Sequence, residues 1–450
     1  MADPQLTTRV LRRLLAAGLV SRAERLLSRA RPADLAPVLG DLQPDEVRTV
    51  VDVLFRQHRA APTLRELPPE LLPQIFDALG DARLAEILAR LEIDDMLEMV
   101  EWLPEERRAP VVAGLPEEKA AELRKAEVYP AESAGRVMTT AFVALEQGTT
   151  AQEAIDRIRA AGDATEAVLY LYVVDDKGGL IGVVPIRRLV SAAPDRALGD
   201  LMIRDPVSIH ADADQEQAAQ LVTRYNLLAI PVVDDDHRMV GVITVDDVIE
   251  VINEEATEDI YYMAGLHEED RVFSPAFQSV RRRLPWMLLN LCALFVAAWV
   301  IGRFEQTLEQ LVALAFFMPV VAGMGGNSGI QSLTVITRGI ALGEIEFSSG
   351  LRLVAKELAV ALTIGTVAGA AAAALATFWQ GSPLLGGVLF VAMLLTVAVA
   401  GMLGAAVPLV LKALHQDPAL GSGVIVTTLT DVVGLTTFLG IGTILIDRLS

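Results

Sequence analysis

The chain has 450 residues, with 38 Lys and Arg against 58 Asp and Glu, a formal net charge of −20, and yet 52% of it is hydrophobic. So acidic a balance excludes a nucleic-acid partner, whose phosphates it would repel. The single cysteine, Cys292, excludes an intrachain disulfide, and His58, His210, His237, His267 and His415 are too scattered for a zinc site. Charge and apolarity are also segregated: from Arg281 to Ser450 the acids and bases nearly cancel, so the net charge resides in residues 1 to 280.

The opening stretch, MADPQLTTRVLRRLLAAGLV, has an Asp and spaced Arg residues where a signal peptide would have a basic cap and an unbroken apolar core. It predicts an amphipathic helix. Residues 1 to 130 then keep a rhythm of about 12 or 24 residues, with LQPDE at 42, LPPEL at 67, LEIDD at 91, LPEER at 103 and LPEEK at 115. Each start places Pro or an acid where a helix would begin. Short helices stacked as a superhelix, an all-α cytosolic domain with an acidic face, are expected.

Residues 131 to 252 contain an internal repeat. RVMTTAFVALEQGTTAQEAIDRIRA and LYLYVVDDKGGLIGVVPIRRLV are echoed by DLMIRDPVSIHADADQEQAAQLVTRY and LAIPVVDDDHRMVGVITVDDVIEVI. Each copy reads helix, β-rich run ending in Val-Val-Asp-Asp, turn, strand and closing helix. This resembles a tandem pair of cystathionine-β-synthase-type (CBS) modules, an α/β fold. The resemblance implies binding of an adenine nucleotide such as ATP, with Thr244 and Asp247 of the pattern Gly241, Thr244, Asp247 on the ribose; the first copy has Pro185 and Arg188 at those places.

Acidic density peaks next. Between Arg204 and Asp270 there are 17 Asp and Glu against three Arg, and Asp246, Asp247, Glu250, Glu254, Glu255, Glu258 and Asp259 fall on predicted helix leading into an acidic connecting segment, 253 to 280. Such like charges repel unless cations neutralise them.

The remainder, 281 to 450, predicts a membrane domain of five helices at about 284 to 301, 308 to 336, 351 to 378, 384 to 411 and 421 to 446. Arg281, Arg282 and Arg283 before the first span, with Arg338, Arg352, Lys356 and Lys412 in alternate connections, put the N-terminal side in the cytoplasm and the C-terminus outside. Gly and Ala crowd the third and fourth spans, which allows close helix packing. In the second span, Pro319, Gly323, Gly325, Gly326, Asn327, Gly329 and Gln331 predict a weakened, polar-lined helix of the kind that builds ion sites.

Asp431 lies deep within the fifth span, where an ionised carboxylate costs at least ~2.5 kcal/mol and marks an ion or proton pathway. Thr427 one turn before it and Gly434 near one turn after share its face. Oxygen-only surroundings suit hydrated Mg²⁺, which binds through one or two carboxylates; a single Asp per chain predicts a symmetric homodimer. Glu309, at the outer mouth of the second span, is a candidate for gathering cations.

Taken together, acidic helical domain, CBS pair, acidic connecting helix and five spans resemble the MgtE-type family of bacterial magnesium channels and transporters. PVVAGMGGNSGIQ at 319 to 331, EEATEDI at 254 to 260 and TLTDVVGL at 428 to 435 carry the resemblance. It implies a homodimer in the bacterial inner membrane whose pore, lined by the second and fifth spans, holds hydrated Mg²⁺ at Asp431, with Asn327 and Thr427 beside it. It also implies a cytosolic Mg²⁺ sensor that closes the pore, at Glu216, Asp247, Glu250, Glu255, Glu258 and Asp259, joined by Asp417 and, in the helical domain, by Asp94 and Asp95. An intramembrane aspartyl protease would need a second mid-span carboxylate, which the chain lacks. The alternative from another class is a proton-coupled divalent-cation transporter with a nucleotide-sensing CBS pair, using Asp431 as a relay.

Overall fold

Prolines and acids start the early helices where the repeat predicts. Pro44 opens Pro44–Arg56, and Glu46 accepts a 2.9 Å hydrogen bond from the Gln43 backbone N–H, closing a capping box. Pro104 and Pro116 precede Glu105–Ala113 and Glu117–Ala126, each with two Glu in its first turn, where the helix dipole favours negative charge. The computed structural model describes residues 4–161, 169–266, 276–345 and 350–446, which form two units, Met1–Ile252 and Asn253–Ser450. In the first, short helices from Pro4–Ala16 to Glu117–Ala126 share one core running from Leu11 to Ala126. Leu11, Leu54, Phe76 and Ile87 are fully buried in it.

The repeat that follows gives two sheets of matching register. Strand Tyr170–Val174 pairs antiparallel with Leu180–Pro185, aligning Tyr170 with Pro185; Ala229–Val233 pairs antiparallel with Met239–Thr244, aligning Ala229 with Thr244. Both hairpins carry an irregularity at the equivalent Val-Val step. Pro185 and Thr244 are thus true counterparts. The copies are interlocked: a side chain at Gly182 would collide with Met202, and one at Gly241 with Met138, each methionine coming from the segment that leads into the other copy. The closing helix of the second copy continues without interruption as Val245–Met263. It stops there, with Gly265 at φ +69°, and residues 267–275 of the expected connecting segment lie outside the described residues.

The second unit contains five helices long and apolar enough to cross a membrane: Ala276–Gly302, Ala313–Ala341, Gly350–Gln380, Pro383–Ala413 and Ser422–Ile444. The second begins later than expected, because a separate short helix, Glu305–Gln310, precedes it and carries Glu309. A larger correction concerns its interior. Despite Pro319 and the run of glycines, Ala313–Ala341 is one continuous α-helix, not a broken one. The glycines serve contact instead: a Cβ at Gly329 would lie 2.6 Å from Val426 Cγ1 of the fifth span, and one at Gly325 would lie 2.8 Å from Thr396 Cγ2 of the fourth. The fourth span is packed inside the bundle, with Ala392, Val397 and Ala400 fully buried. Its Gly404 meets the carbonyl oxygen of Gly329 backbone to backbone. Between the third and fourth spans Gly365, Gly369, Gly386 and Gly401 give the close approach that small residues allow.

Gly404→Ala is expected to destabilise the detergent-solubilised chain by roughly 1–3 kcal/mol, the usual cost of overpacking, because the obstacle is backbone and cannot rotate away. Gly387→Ala, on the same span with nothing within 4 Å, is the control expected to be neutral in the same thermal-unfolding measurement.

Candidate functional site

In the second unit the predicted pore residues gather along the fifth span. Asp431 is half-buried, one turn beyond Thr427. The Thr427 hydroxyl donates to the Gly423 and Val424 carbonyls at 2.9 and 3.1 Å, which turns its remaining lone-pair side outward as an acceptor. A Cβ at Gly326 of the second span would touch Thr427 Cγ2 at 3.7 Å, so the glycines bring that helix against the Thr427 turn, and Asn327, next in the chain, is exposed there. Among the described residues no three His, Cys, Asp or Glu converge as a conventional metal centre. Oxygen groups of this kind contact a cation through its water shell, the way Mg²⁺ is commonly held. Glu309 is exposed on its short helix.

Two polar groups in the bundle escaped the sequence reading. Glu357 of the third span is buried, accepting 2.8 Å from Ser332 Oγ of the second span and 2.6 Å from Lys356 Nζ. A Lys-Glu pair just inside an apolar stretch was the available signal. Thr396 of the fourth span is 1% exposed, its hydroxyl has no hydrogen-bond partner among the described residues, and it packs against both Gly325 and Gly434. One Thr in an apolar run gives no warning of such a placement.

At the start of the fifth span, Gly421 takes φ +61° and donates its N–H to the Tyr262 carbonyl at 3.2 Å, while a side chain at Gly423 would collide with the Met263 carbonyl. The end of helix Val245–Met263 therefore abuts the helix that carries Asp431. Just before this joint, Asp259 is half-buried, and burial, then the Asp417 charge, push its carboxyl up to about 6 against the opposing pull of Arg338. Asp417 accepts 2.6 Å from the Ala419 N–H. Asp259 and Asp417, two of the expected sensor acids, lie close enough for their charges to interact, and Glu255 and Glu258 are half-buried on the same helix as Asp259.

The first unit holds a second acidic cluster. Asp94 and Asp95 open helix Ile93–Glu101, Asp246 and Asp247 open Val245–Met263, and Arg65 reaches between them from the end of Ala60–Arg65. Its guanidinium lies 3.0 Å from Asp95, 3.5 Å from Asp247 and 4.0 Å from Asp246. One oxygen of Asp94 is buried without a hydrogen-bond partner among the described residues. Burial, followed by the charges of Asp247 and Asp95, holds the Asp94 carboxyl well above the carboxylate range, and burial pushes Asp95 to about 7 against the pull of Arg65. Asp247 is raised too, chiefly by burial, although the Thr244 hydroxyl donates to it at 2.5 Å. Thr244 and Asp247 line a cavity of about 50 Å³ together with Phe142, Tyr170 and Arg65. Glu250 is exposed, and Glu216 lies in the first turn of Gln215–Tyr225. No residue pattern singled out Arg65.

Comparison with known proteins agrees with this layout. The MgtE family, described as a divalent cation transporter, matches residues 318–441; the MgtE intracellular N domain matches 30–132, and CBS domains match 134–195 and 198–254. The magnesium transporter MgtE of Bacillus subtilis (strain 168) is 33% identical over 442 residues, 96% of this chain and 98% of its own. That of Thermus thermophilus is 34% identical over 427 residues, 94% of each chain. The solved cytosolic domain of the Mg²⁺ channel MgtE in complex with ATP is 32% identical, with a TM-score of 0.52, and covers 54% of this chain and 99% of its own.

A carboxyl raised on folding binds its proton more tightly in the folded chain, so its stabilising contribution is complete at low pH and is lost as pH climbs through the folded value. Amide-exchange protection of residues 60–101 in the full-length chain is therefore expected to fall as pH rises through about 7, where Asp95 titrates. Asp95→Asn should flatten that decline.

Proposed function

The chain belongs to the MgtE family of divalent cation transporters, and on that premise we propose that it is a homodimeric Mg²⁺ channel of the bacterial inner membrane, closed from the cytoplasmic side by Mg²⁺ itself. Magnesium transport is the activity its relatives are named for, and the chain is a transporter and not an enzyme. The observation that carries the pore is Asp431: a carboxylate deep in an apolar helix, on a face with Thr427 and against a glycine-lined second span. Hydrated Mg²⁺ keeps its water because dehydration is costly, and a site of one carboxylate per chain with Asn327 and Thr427 nearby offers acceptors for that water. Two chains would bring two Asp431 to a common axis. Exposed Ile249, Ile252 and Ile260 form an apolar stripe on one face of Val245–Met263, which supports the pairing.

For closure, cytosolic Mg²⁺ would neutralise acids that otherwise repel one another: Asp94, Asp95, Asp247 and Glu250 in the first unit, Glu255, Glu258, Asp259 and Asp417 in the second, with Glu216 as a further acid. Because Tyr262 and Met263 abut Gly421 and Gly423, neutralising Asp259 and Asp417 would fix the inner end of the pore helix. A ligand favouring the closed arrangement shifts the population by its differential affinity. Glu309 would gather cations outside, with the N-terminus cytoplasmic and the C-terminus external. Thr244 and Asp247, beside Tyr170 and Phe142, have the chemistry to hold a ribose and an aromatic base, which supports ATP as a ligand of the CBS pair.

In proteoliposomes, Asp431→Ala is expected to abolish Mg²⁺ flux while thermal unfolding stays normal; flux that persists would remove Asp431 from the pathway, and flux that follows a proton gradient in the wild type would favour the proton-coupled alternative. Neutralising Glu255, Glu258 and Asp259 together is expected to leave flux open at millimolar internal Mg²⁺. Normal closure in that variant would refute the sensor.

A further inference from the structure

The first unit's acidic cluster already contains a cation. Arg65 Nε lies 3.0 Å from Asp95 and Nη2 lies 3.5 Å from Asp247, so one guanidinium bridges an acid of the helical region and an acid of the CBS pair. All three side chains are mostly shielded, at 28, 12 and 13% exposure, which keeps screening by bulk salt weak. Asp94, one buried oxygen of which has no hydrogen-bond partner among the described residues, lines the same cavity, and Asp246 lies 4.0 Å from the guanidinium. A planar fork satisfies two carboxylates at once and cannot lose its proton, whereas a divalent ion must bring its charge from solution.

We propose that Arg65 is a resident counter-ion that competes with Mg²⁺ for the carboxylates of Asp94, Asp95 and Asp247, and so sets the concentration at which this cluster responds. The inference rests on the reading of these acids as part of a Mg²⁺ sensor. Covalent attachment makes the guanidinium locally concentrated. A divalent ion entering the cluster must displace it or sit beside its like charge. Removing Arg65 leaves the same acids with their mutual repulsion unrelieved and their demand for an external cation increased. A plain clasp between the two regions predicts the opposite sign, since its loss would make closure harder.

The test compares full-length wild type, Arg65→Gln and Arg65→Lys in proteoliposomes, with Mg²⁺ flux measured as internal Mg²⁺ is stepped. Loss of a unit charge about 4 Å from carboxylates predicts a half-closing Mg²⁺ concentration roughly three- to tenfold lower in Arg65→Gln. Arg65→Lys, which keeps the charge, should stay close to wild type. An unchanged or raised half-closing concentration in Arg65→Gln would overturn the proposal. Calorimetric titration of the detergent-solubilised full chain with Mg²⁺ separates this from the gating reading. If no chain closes with Mg²⁺, the gating reading fails, but tighter Mg²⁺ binding in Arg65→Gln that disappears when Asp247→Asn is added still supports competition. Equal binding in wild type and Arg65→Gln overturns it. Arg65→Met, which keeps the apolar stem, replaces Arg65→Gln should the latter unfold.

Discussion

The second unit depends on how closely its backbones approach. Gly329 of the second span and Gly404 of the fourth meet with no side chain between them, and Gly325 and Gly329 set the second span against Thr396, Val426 and Thr430. In a bilayer, where lipid tails are as apolar as leucine, contact of this kind and interhelical hydrogen bonds hold helices together. The bond from Ser332 to buried Glu357 adds one such polar tie from the second span to the third. The position of the Asp431 helix thus follows from residues that contribute no charge of their own.

Charge dominates the rest of the molecule. Asp259 lies late in Val245–Met263, whereas other acids lie at helix starts, as Asp94, Asp95, Asp246 and Asp247 do, or at turns between spans, as Asp417 does. Helix dipoles and backbone N–H groups make those places tolerable for one carboxylate, but not for several brought within reach of each other. Burial first and neighbouring acids second set that cost, raising Asp95 to about 7 and Asp259 to about 6 in the two units separately. Cations relieve it, and the chain supplies one of its own in Arg65.

Much of this was legible from residue pattern. The Pro and acid starts marked the short helices, the Val-Val-Asp-Asp repeat marked two equivalent hairpins, and hydropathy marked five spans, because each signal is local and periodic. The expectation of a weakened second span failed for a physical reason: glycine weakens an isolated helix, yet within a bundle its missing side chain admits a neighbour whose packing outweighs the lost propensity. Asp431 was visible because charge in an apolar run stands out. Arg65, Thr396 and Glu357 were not singled out, since their significance comes from partners distant in sequence, such as Asp247 for Arg65 and Ser332 for Glu357.

The exchanged methionines bear on how the chain reaches this state. Met138 fits over Gly241 and Met202 over Gly182, so each sheet is completed by a strap belonging to the opposite half of the duplication. During synthesis the strap with Met138 emerges long before the strand that receives it, and the first hairpin must wait for Met202 before its own glycine groove is filled. Each half of the pair therefore leaves a glycine groove open until the other half supplies its methionine.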